Sequence, residues 1–263
     1  AGKRVKRDEE VLDLQAVELE KLVAGTDFTG IALNTLDEHV FEGALAALKD
    51  FENQPLVQAQ LTETLGKTLR DLGLLDRALE PQKKAVEIRR RELGDEHPDT
   101  LDSINNLAVL LVDQGKLDES ESLCREALEA QRRTLGDDHP ATLIVLNNLG
   151  RVLFNQGKHD EAELLYREAL ELRRRTLGDE HRDTLQTMTS LGLLLRTKGA
   201  YDEAEPIVRE ALAGHRRTLG NEHPSTLTSI NNLGGLFHDQ GKSDEAEPPL
   251  REALKLSLIH TGC

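Results

Sequence analysis

Triplets of two acidic residues and a histidine recur along the chain and present the first candidate chemistry. Carboxylates and imidazoles bind metal ions, and stacked loops would bring several triplets together. However, the triplets come once in every 42 residues, and no cysteine or second histidine lies at the spacing that a metal site requires. We therefore predict that each triplet forms a loop and the start of a helix, without a metal ion. The triplets are Asp95-Glu96-His97, Asp137-Asp138-His139, Asp179-Glu180-His181 and the variant Asn221-Glu222-His223.

The residue constellations of common enzymes are absent from the sequence. There is no phosphate loop, no glycine fingerprint of a dinucleotide site, no nucleophile elbow and no HExxH motif. Pairs of Glu and Asp are plentiful, but on helices of this composition such pairs usually form a solvated face. We predict no catalytic residues, no cofactor and no enzymatic activity.

The elements that position these side chains form a repeat of 42 residues. The unit LGDDHPATLIVLNNLGRVLFNQGKHDEAELLYREALELRRRT begins at Leu135, and close copies begin at Leu93, Leu177 and Leu219. A fixed period of this length indicates a stacked array of supersecondary units. The predicted parts are a helical N-terminal cap or connector (1–50), a diverged repeat (51–92), four close repeats (93–134, 135–176, 177–218 and 219–260) and a tail (261–263).

The spacing of apolar residues within each unit predicts a pair of helices. In the unit quoted above, Leu143, Leu146 and Leu149 recur at helical steps, which places them on one side of a helix. Gly157 suits the left-handed turn that ends this helix, and Asp160 suits the N-cap of the next one. Each unit is therefore predicted to be a helix, a tight turn, a second helix and a loop.

Small residues recur where the two helices of a unit are expected to cross. One hairpin cannot bury its own apolar stripe, so neighbouring hairpins must stack and share a core. Gly or Ala at the crossing lets the helices approach closely, where a larger side chain would hold them apart. The pattern predicts an all-α fold. The series is Gly66, Ala108, Gly150, Gly192 and Gly234.

The repeat length, the NNLA or NNLG motif and the GDEHPDT loop resemble the tetratricopeptide domain of kinesin light chains. They are also similar to arrays carried by many bacterial and fungal signalling ATPases and kinases. The resemblance extends over residues 51–258. It implies a right-handed superhelical solenoid of antiparallel helix hairpins, in which the first helices line a concave surface that binds extended peptides.

The asparagines of the NNLA or NNLG motif are the binding residues that this resemblance implies. Kinesin light chains use them to hold peptide backbone, and an amide side chain both donates and accepts hydrogen bonds. The resemblance transfers this role to Asn105, Asn106, Asn147, Asn148, Asn231 and Asn232. Two units depart from the motif, with Glu63-Thr64 and Thr189-Ser190 in its place. The alternative is that the asparagine pairs only link neighbouring helices.

Four basic residues follow the same motif position by one or two helical turns. They are Lys67, Arg70, Arg151 and Arg196. If they share the concave surface, they form a basic strip that favours ligands carrying Asp or Glu, because Arg binds a carboxylate through two donors. The alternative is that these four side chains are solvated.

Runs of arginine end the second helix of the first four units. Cations complement the dipole at a helix C-terminus, and Glu residues precede several of the runs at helical spacing. We predict a ladder of ion pairs on the outer surface. The runs are Arg89-Arg90-Arg91, Arg132-Arg133, Arg173-Arg174-Arg175 and Arg216-Arg217.

The composition limits the kinds of partner. A formal charge of −15 opposes general binding to nucleic acid or to anionic membranes. No run of about 18 apolar residues could span a membrane, and the N-terminus lacks the apolar core of a signal peptide, which favours the cytoplasm. The chain has two cysteines, so a disulfide framework is not expected, and Cys124 is predicted to be a buried, inert thiol.

These observations predict a non-catalytic scaffold for protein–protein interaction that binds an extended peptide or protein segment in the concave groove. The alternative is a self-association or regulatory module of a larger signalling kinase or ATPase. In that case the C-terminal hairpin, with Leu250 and Leu254, is the expected contact between copies.

Overall fold

The computed structural model describes residues 42–260, and the chain divides into two compact units, Ala1–Gln54 and Pro55–Cys263. In the first unit the described residues form a short helix, α1 (Glu42–Ala47), and then a 3-10 helix, Leu48–Phe51. Most of the predicted N-terminal cap (1–50) and the whole tail (261–263) lie outside the described residues. The boundaries of the cap and of the repeats stay predictions.

The described part of the second unit contains ten helices, which pack as five successive hairpins. The even-numbered helices are the first helices of their hairpins, and the odd-numbered helices are the second. The predicted all-α fold is confirmed. The hairpins are α2 (Pro55–Asp71) with α3 (Leu75–Leu93), α4 (Pro98–Asp113) with α5 (Leu117–Leu135), α6 (Pro140–Asn155) with α7 (His159–Leu177), α8 (Arg182–Thr197) with α9 (Tyr201–Leu219), and α10 (Pro224–Asp239) with α11 (Ser243–His260).

The histidine of each acidic triplet caps the first helix that follows it. The Nδ1 atom of His139 accepts a hydrogen bond of 3.2 Å from the backbone N–H of Ala141. Pro140 begins α6 at a position where the missing N–H has no partner in the helix. The same cap recurs at His97, His181 and His223. The predicted role of the triplets in the loop and the helix start is confirmed.

The turn inside the third hairpin confirms one prediction and corrects another. Gly157 has a φ of +77°, which is the left-handed conformation expected at the end of α6. The predicted N-cap at Asp160 is wrong, because α7 begins one residue earlier and its N-cap, Lys158, makes no side-chain cap bond. The carboxylate of Asp160 instead lies 2.6 Å from Nζ of Lys198 in the next hairpin.

Gly150 lies where α6 crosses α7. A Cβ atom at this position would lie 2.8 Å from Cε1 of Tyr166, so glycine permits the close approach of a large aromatic ring. The predicted role of the small residues is thereby confirmed. The side chain opposite the glycine changes from hairpin to hairpin: Gly66 faces Gln82, Gly192 faces Val208, and Gly234 faces Leu250.

Stacking of the hairpins places the first helices on the inner side of the array. Each internal second helix packs against the first helices on both sides of it, and a shared apolar core runs from α3 to α10. Successive first helices also contact one another directly, and to a greater extent than successive second helices in the described chain. The surface that the first helices share is therefore the concave one. The handedness of the superhelix stays an expectation from the resemblance.

Ion pairs bridge successive second helices on the outer side. The Nη2 atom of Arg174 lies 2.6 Å from Oε2 of Glu210, and the same bridge recurs along the array. The predicted ladder is confirmed for Arg90, Arg132, Arg174 and Arg216 of the arginine runs. It is wrong for Arg89 and Arg173, which are buried. Those two side chains turn toward the joint between hairpins. The recurring bridges are Arg90–Glu126, Arg125–Glu161, Arg132–Glu168, Arg167–Glu203 and Arg216–Glu252.

Candidate functional site

Two of the asparagine pairs form a ladder between successive first helices. The Nδ2 atom of Asn148 on α6 donates a hydrogen bond of 2.8 Å to Oδ1 of Asn105 on α4. One repeat earlier, Asn106 donates to the carboxylate of Glu63 on α2. These side chains link neighbouring helices, as the alternative interpretation proposed. The Oδ1 atoms of Asn106 and Asn148 have no hydrogen-bond partner among the described residues and are available to a ligand.

The ladder ends at α8, where Thr189 and Ser190 replace the asparagine pair. The hydroxyl of Ser190 donates to the carbonyl of Gln186 in its own helix at 3.1 Å, so it does not bridge to α6. The Oδ1 atom of Asn147 accepts a bond of 3.3 Å from Thr187, while its Nδ2 has no partner in the described chain. The donor of Asn147 is therefore free to bind another group.

The last asparagine pair, on α10, is also outside the ladder. Asn231 is exposed and Asn232 is half-buried, and neither makes a side-chain hydrogen bond within the described residues. By register, Asn232 would bond to Thr189, but no hydrogen bond joins the two side chains in the described chain, and the hydroxyl of Thr189 donates to the carbonyl of Leu185 at 2.9 Å. The structure thus joins the asparagines of α4 and α6 and leaves those of α10 separate.

Three of the four predicted basic residues are paired with carboxylates. Lys67 lies 2.9 Å from Glu63, Arg70 lies 2.5 Å from Asp113, and Arg196 lies 2.6 Å from Asp239. Arg151 has no ion-pair or hydrogen-bond partner in the described chain, and its Nε atom is buried. Arg151 holds the register position of Lys67, one helical turn beyond Asn147. Arg151 is therefore the unpaired cation among these four, and it lies one helical turn from the free Nδ2 donor of Asn147.

A cleft of about 360 Å³ is bounded mainly by side chains of α2, α4 and α6. Polar groups line most of it, and Ile144 adds an aliphatic side chain that is 42% exposed. The cleft combines the amides of the asparagine ladder with charged groups. Sites for apolar small molecules are mostly hydrophobic, so this polar lining suits a peptide better. The polar lining includes Glu63, Lys67, Asp102, Asn105 and Asn106.

The lining of this cleft also contains a buried ion pair that the sequence analysis missed. The Nη1 atom of Arg89 lies 2.6 Å from Oε2 of Glu63, and both side chains are more than nine-tenths buried. Arg89 also donates to the carbonyl of Asp99 at 3.1 Å and to Oε1 of Gln60 at 2.8 Å. Further hydrogen bonds of this kind are what a buried ion pair needs to offset its desolvation. The available signal in the sequence was that Arg89 and Arg173 hold the same repeat position.

Arg173 is the counterpart of Arg89 two repeats later and is 4% exposed. No carboxylate pairs with it in the described chain, because Asn147 stands where the first hairpin has Glu63. Burial lowers the pKa of Arg173, and the charge of Asp183 opposes that shift. Thr187 connects the two sites, since its hydroxyl accepts from Arg173 and shares its one proton between Oδ1 of Asn147 at 3.3 Å and the carbonyl of Asp183 at 3.0 Å. The other bonds of Arg173 go to the carbonyls of Asp183 at 2.8 Å and Leu143 at 3.1 Å.

Asp102 is an acidic group of the cleft without an ion pair in the described chain. Its pKa is raised, first by burial and then by the neighbouring carboxylates of Asp99 and Glu63. The charges of Lys67 and Arg89 act in the opposite direction. Both of those cations are bonded to Glu63, so the carboxylate of Asp102 remains available to a cation from a ligand.

Two further sequence predictions concern a thiol and the membrane. Cys124 is 1% exposed, and burial raises its pKa to about 11, so the predicted buried, inert thiol is confirmed. Over the part of the chain that the structure describes, no helix combines the length and the apolar character of a transmembrane segment.

Comparison with known proteins matches the repeats over most of the array. The family model of the tetratricopeptide repeat matches residues 57–117, 102–175, 144–215 and 183–258. Nephrocystin-3 of Mus musculus is 35% identical over 97 residues, which are 35% of this chain and only 7% of that protein. The chain therefore corresponds to a small part of this curated relative.

Solved structures give the same result. A Podosopora anserina protein of the kinesin light chain type, with nearly identical TPR-like repeats, is 26% identical at a TM-score of 0.66, covering 79% of this chain and 98% of its own. BtubC (BKLC) from P. vanneervenii shares the fold at a TM-score of 0.70 and 20% identity, covering 90% and 94%. The chain belongs to the tetratricopeptide repeat family, and its array is similar to those of kinesin light chains.

Proposed function

We propose that this chain is a non-catalytic, cytoplasmic scaffold whose concave surface binds an extended peptide or protein segment. Tetratricopeptide repeats are protein-interaction modules, and the family match consists of such repeats alone. We infer the peptide site from Asn147 and Arg151, because the Nδ2 donor of Asn147 and the guanidinium of Arg151 have no partner in the described chain.

The chemistry of this pair fits a peptide in extended conformation. The Nδ2 atom of Asn147 offers a donor to a backbone carbonyl, and the Oδ1 atom of Asn148 offers an acceptor to a backbone N–H. Arg151 is half-buried and has no hydrogen-bond partner in the described chain, so a ligand carboxylate bound to its guanidinium would supply a charge-assisted bond that the protein itself does not make. Asn148 also joins α6 to α4, and Asn147 joins α6 to α8, so both amides are held in place by neighbouring helices.

Selection of peptides on the immobilised protein tests this proposal. A display library of random twelve-residue peptides is panned on the wild type and on the triple variant Asn147→Ala, Asn148→Ala, Arg151→Ala. The control carries Glu171→Ala and Arg182→Ala, two exposed residues on α7 and α8. Circular dichroism first establishes that all three proteins are equally helical. Peptides that bind the wild type and the control but not the triple variant support the groove, and peptides that bind all three contradict it.

Self-association is a second candidate function, and one observation at the last hairpin favours it. Leu254 on α11 is 62% exposed, whereas the residues at the same repeat position are buried against the following hairpin. These residues are Val86 at 5%, Leu128 at 5%, Leu170 at 6% and Leu212 at 5%. Leu250 adds a neighbouring side chain that is 40% exposed. A second copy that covers this face would bury the apolar surface of both residues.

Light scattering during dilution tests the second candidate. Leu250→Gln and Leu254→Gln should convert an oligomer into a monomer if the last hairpin forms the contact. A wild-type protein that is monomeric at all concentrations measured would remove self-association as the function of this face.

A further inference from the structure

We propose that the peptide bound in the groove carries two opposite charges, a Lys or Arg placed at Asp102 on α4 and an Asp or Glu placed at Arg151 on α6. This inference rests on the proposed peptide-binding function and names the class of its ligand. It extends the expectation of a ligand that carries Asp or Glu to a ligand of mixed charge.

The negative end of the site is the cleft beside α4. Three carboxylates lie around it, those of Glu63, Asp99 and Asp102. Glu63 is bonded to both Lys67 and Arg89, and its charge is therefore compensated within the protein. Asp102 is exposed and has no ion-pair partner in the described chain. A cationic side chain of a ligand that enters the cleft would form a charge-assisted hydrogen bond with this carboxylate.

The positive end of the site is the neighbouring part of α6. Arg151 has no acidic partner among the described residues, and the buried guanidinium of Arg173 has none either. Arg173 is too deeply buried to touch a ligand, but its charge adds to the positive potential near Asn147. In the first hairpin Glu63 supplies the carboxylate that this part of the array lacks. A carboxylate from the ligand, held by Arg151 and by the Nδ2 donor of Asn147, would take that role.

The register of the repeat gives the distance between the two ends. Asp102 on α4 corresponds to Ile144 on α6, and Arg151 lies two helical turns beyond Ile144. Two turns are about 10 Å along the axis, and adjacent helices lie about 9 Å apart, so the two charges are about 14 Å apart. An extended chain rises about 3.3 Å per residue. The opposite charges of the ligand should therefore be about four or five residues apart.

The groups between the two ends are suited to the middle of such a peptide. The Asn105–Asn148 bridge lies between them and offers polar atoms to the backbone. The exposed side chain of Ile144 offers an apolar contact to one side chain of the ligand. A central backbone contact flanked by two charges of opposite sign also fixes the direction of the bound chain, because the reversed peptide would place like charges together.

Charge reversal on the protein tests the proposal directly. Random twelve-residue peptides on display are selected against the wild type, Asp102→Arg, Arg151→Glu and the double variant. We expect the wild type to enrich peptides with one cation and one anion about four or five residues apart. Each single reversal should weaken the best wild-type peptide by about tenfold or more in Kd. The double variant should enrich peptides in which the order of the two charges is reversed.

Two controls keep the result interpretable. The double variant Glu171→Arg, Arg182→Glu reverses charges on exposed residues of α7 and α8 and should keep the wild-type peptides. If a charge reversal unfolds the protein in circular dichroism, Asp102→Asn and Arg151→Gln replace it, and each should weaken the wild-type peptide.

The possible failures are distinguishable. Enriched peptides that lack the paired opposite charges, or that bind the reversed variants as well as the wild type, overturn this inference and leave the peptide-binding function intact. A selection that enriches no peptide on the wild type overturns both proposals.

Discussion

The carboxylate of Glu63 and the guanidinium of Arg89 lie 2.6 Å apart, and both side chains are buried where the first two hairpins meet. Asn106 donates to the same carboxylate, and Lys67 lies 2.9 Å from it. Glu63 thus joins α2 to α3 and to α4. A single residue at the position of an Asn motif connects three helices, and we expect it to be a major determinant of stability at this end of the array.

Removing the charge of Glu63 should destabilise the protein strongly. Glu63→Gln leaves the guanidinium of Arg89 buried without a counter-ion, which costs about 3–5 kcal/mol. Urea unfolding followed by circular dichroism measures the loss, with Glu171→Gln as the exposed control, which should change stability by less than about 0.5 kcal/mol. The double variant Glu63→Leu, Arg89→Met should recover most of the stability, because it removes both charges. A loss below about 1 kcal/mol for Glu63→Gln would contradict the proposed role.

Supplying a carboxylate to Arg173 should have the opposite effect. Asn147 holds the position of Glu63, so Asn147→Glu places an acid near the unpaired guanidinium of Arg173. Hydrogen bonds to charged groups contribute about 1.5–3 kcal/mol, and we expect a gain in unfolding free energy at the lower end of this range. The same variant should weaken acidic peptides, because the new carboxylate occupies the positive end of the groove. Lower stability together with unchanged peptide binding would show that Asn147 and Arg173 do not interact in this way.

The contact of Gly150 with Tyr166 predicts a compensating pair of substitutions. Gly150→Ala should lower stability by about 1–2 kcal/mol, since overpacking against the rigid ring outweighs the better helix propensity of Ala. The second hairpin carries Ala108 and Cys124 at the same positions. The loss of unfolding free energy in the double variant Gly150→Ala, Tyr166→Cys should therefore be smaller than the sum of the losses in the two single variants, by at least about 1 kcal/mol. Thermal unfolding of the four proteins tests this, and strict additivity would exclude the contact as the reason for glycine.

The ion pairs of Glu121 predict a pH-dependent difference in stability. Hydrogen bonds from Lys158 and then Arg125 lower the pKa of Glu121 from 4.5 to about 2. Because the folded pKa is depressed, the stabilisation is present above the unfolded pKa and is lost as the pH falls toward 2. Glu121→Gln should therefore be less stable than the wild type by about 0.5–1 kcal/mol at pH 7. The difference should shrink as urea unfolding is repeated from pH 5 to pH 3, and a constant difference would rule out titration of Glu121 as its source.

The local structure of the array was predictable from sequence because it depends on neighbours within one repeat. His139 and Gly157 act on backbone groups only a few residues away, so their types and positions predict a helix start and a turn. The N-cap was misplaced at Asp160 for a related reason. Its carboxylate has two competing partners, the local helix start and Lys198 of the next hairpin, and only the stacked structure shows that Lys198 binds it.

The sequence by itself determined the hairpins, their number and the small residues at their crossings, since the periodic spacing of apolar residues and glycines specifies helices directly. Only the tertiary structure decided which polar side chains are paired. Arg89 and Arg151 look like similar surface cations in the sequence, yet one is buried in an ion pair with Glu63 and the other has no partner in the described chain. Pairing depends on residues of neighbouring repeats that stacking brings together. The sequence of a single repeat therefore cannot predict which of its polar side chains will be paired.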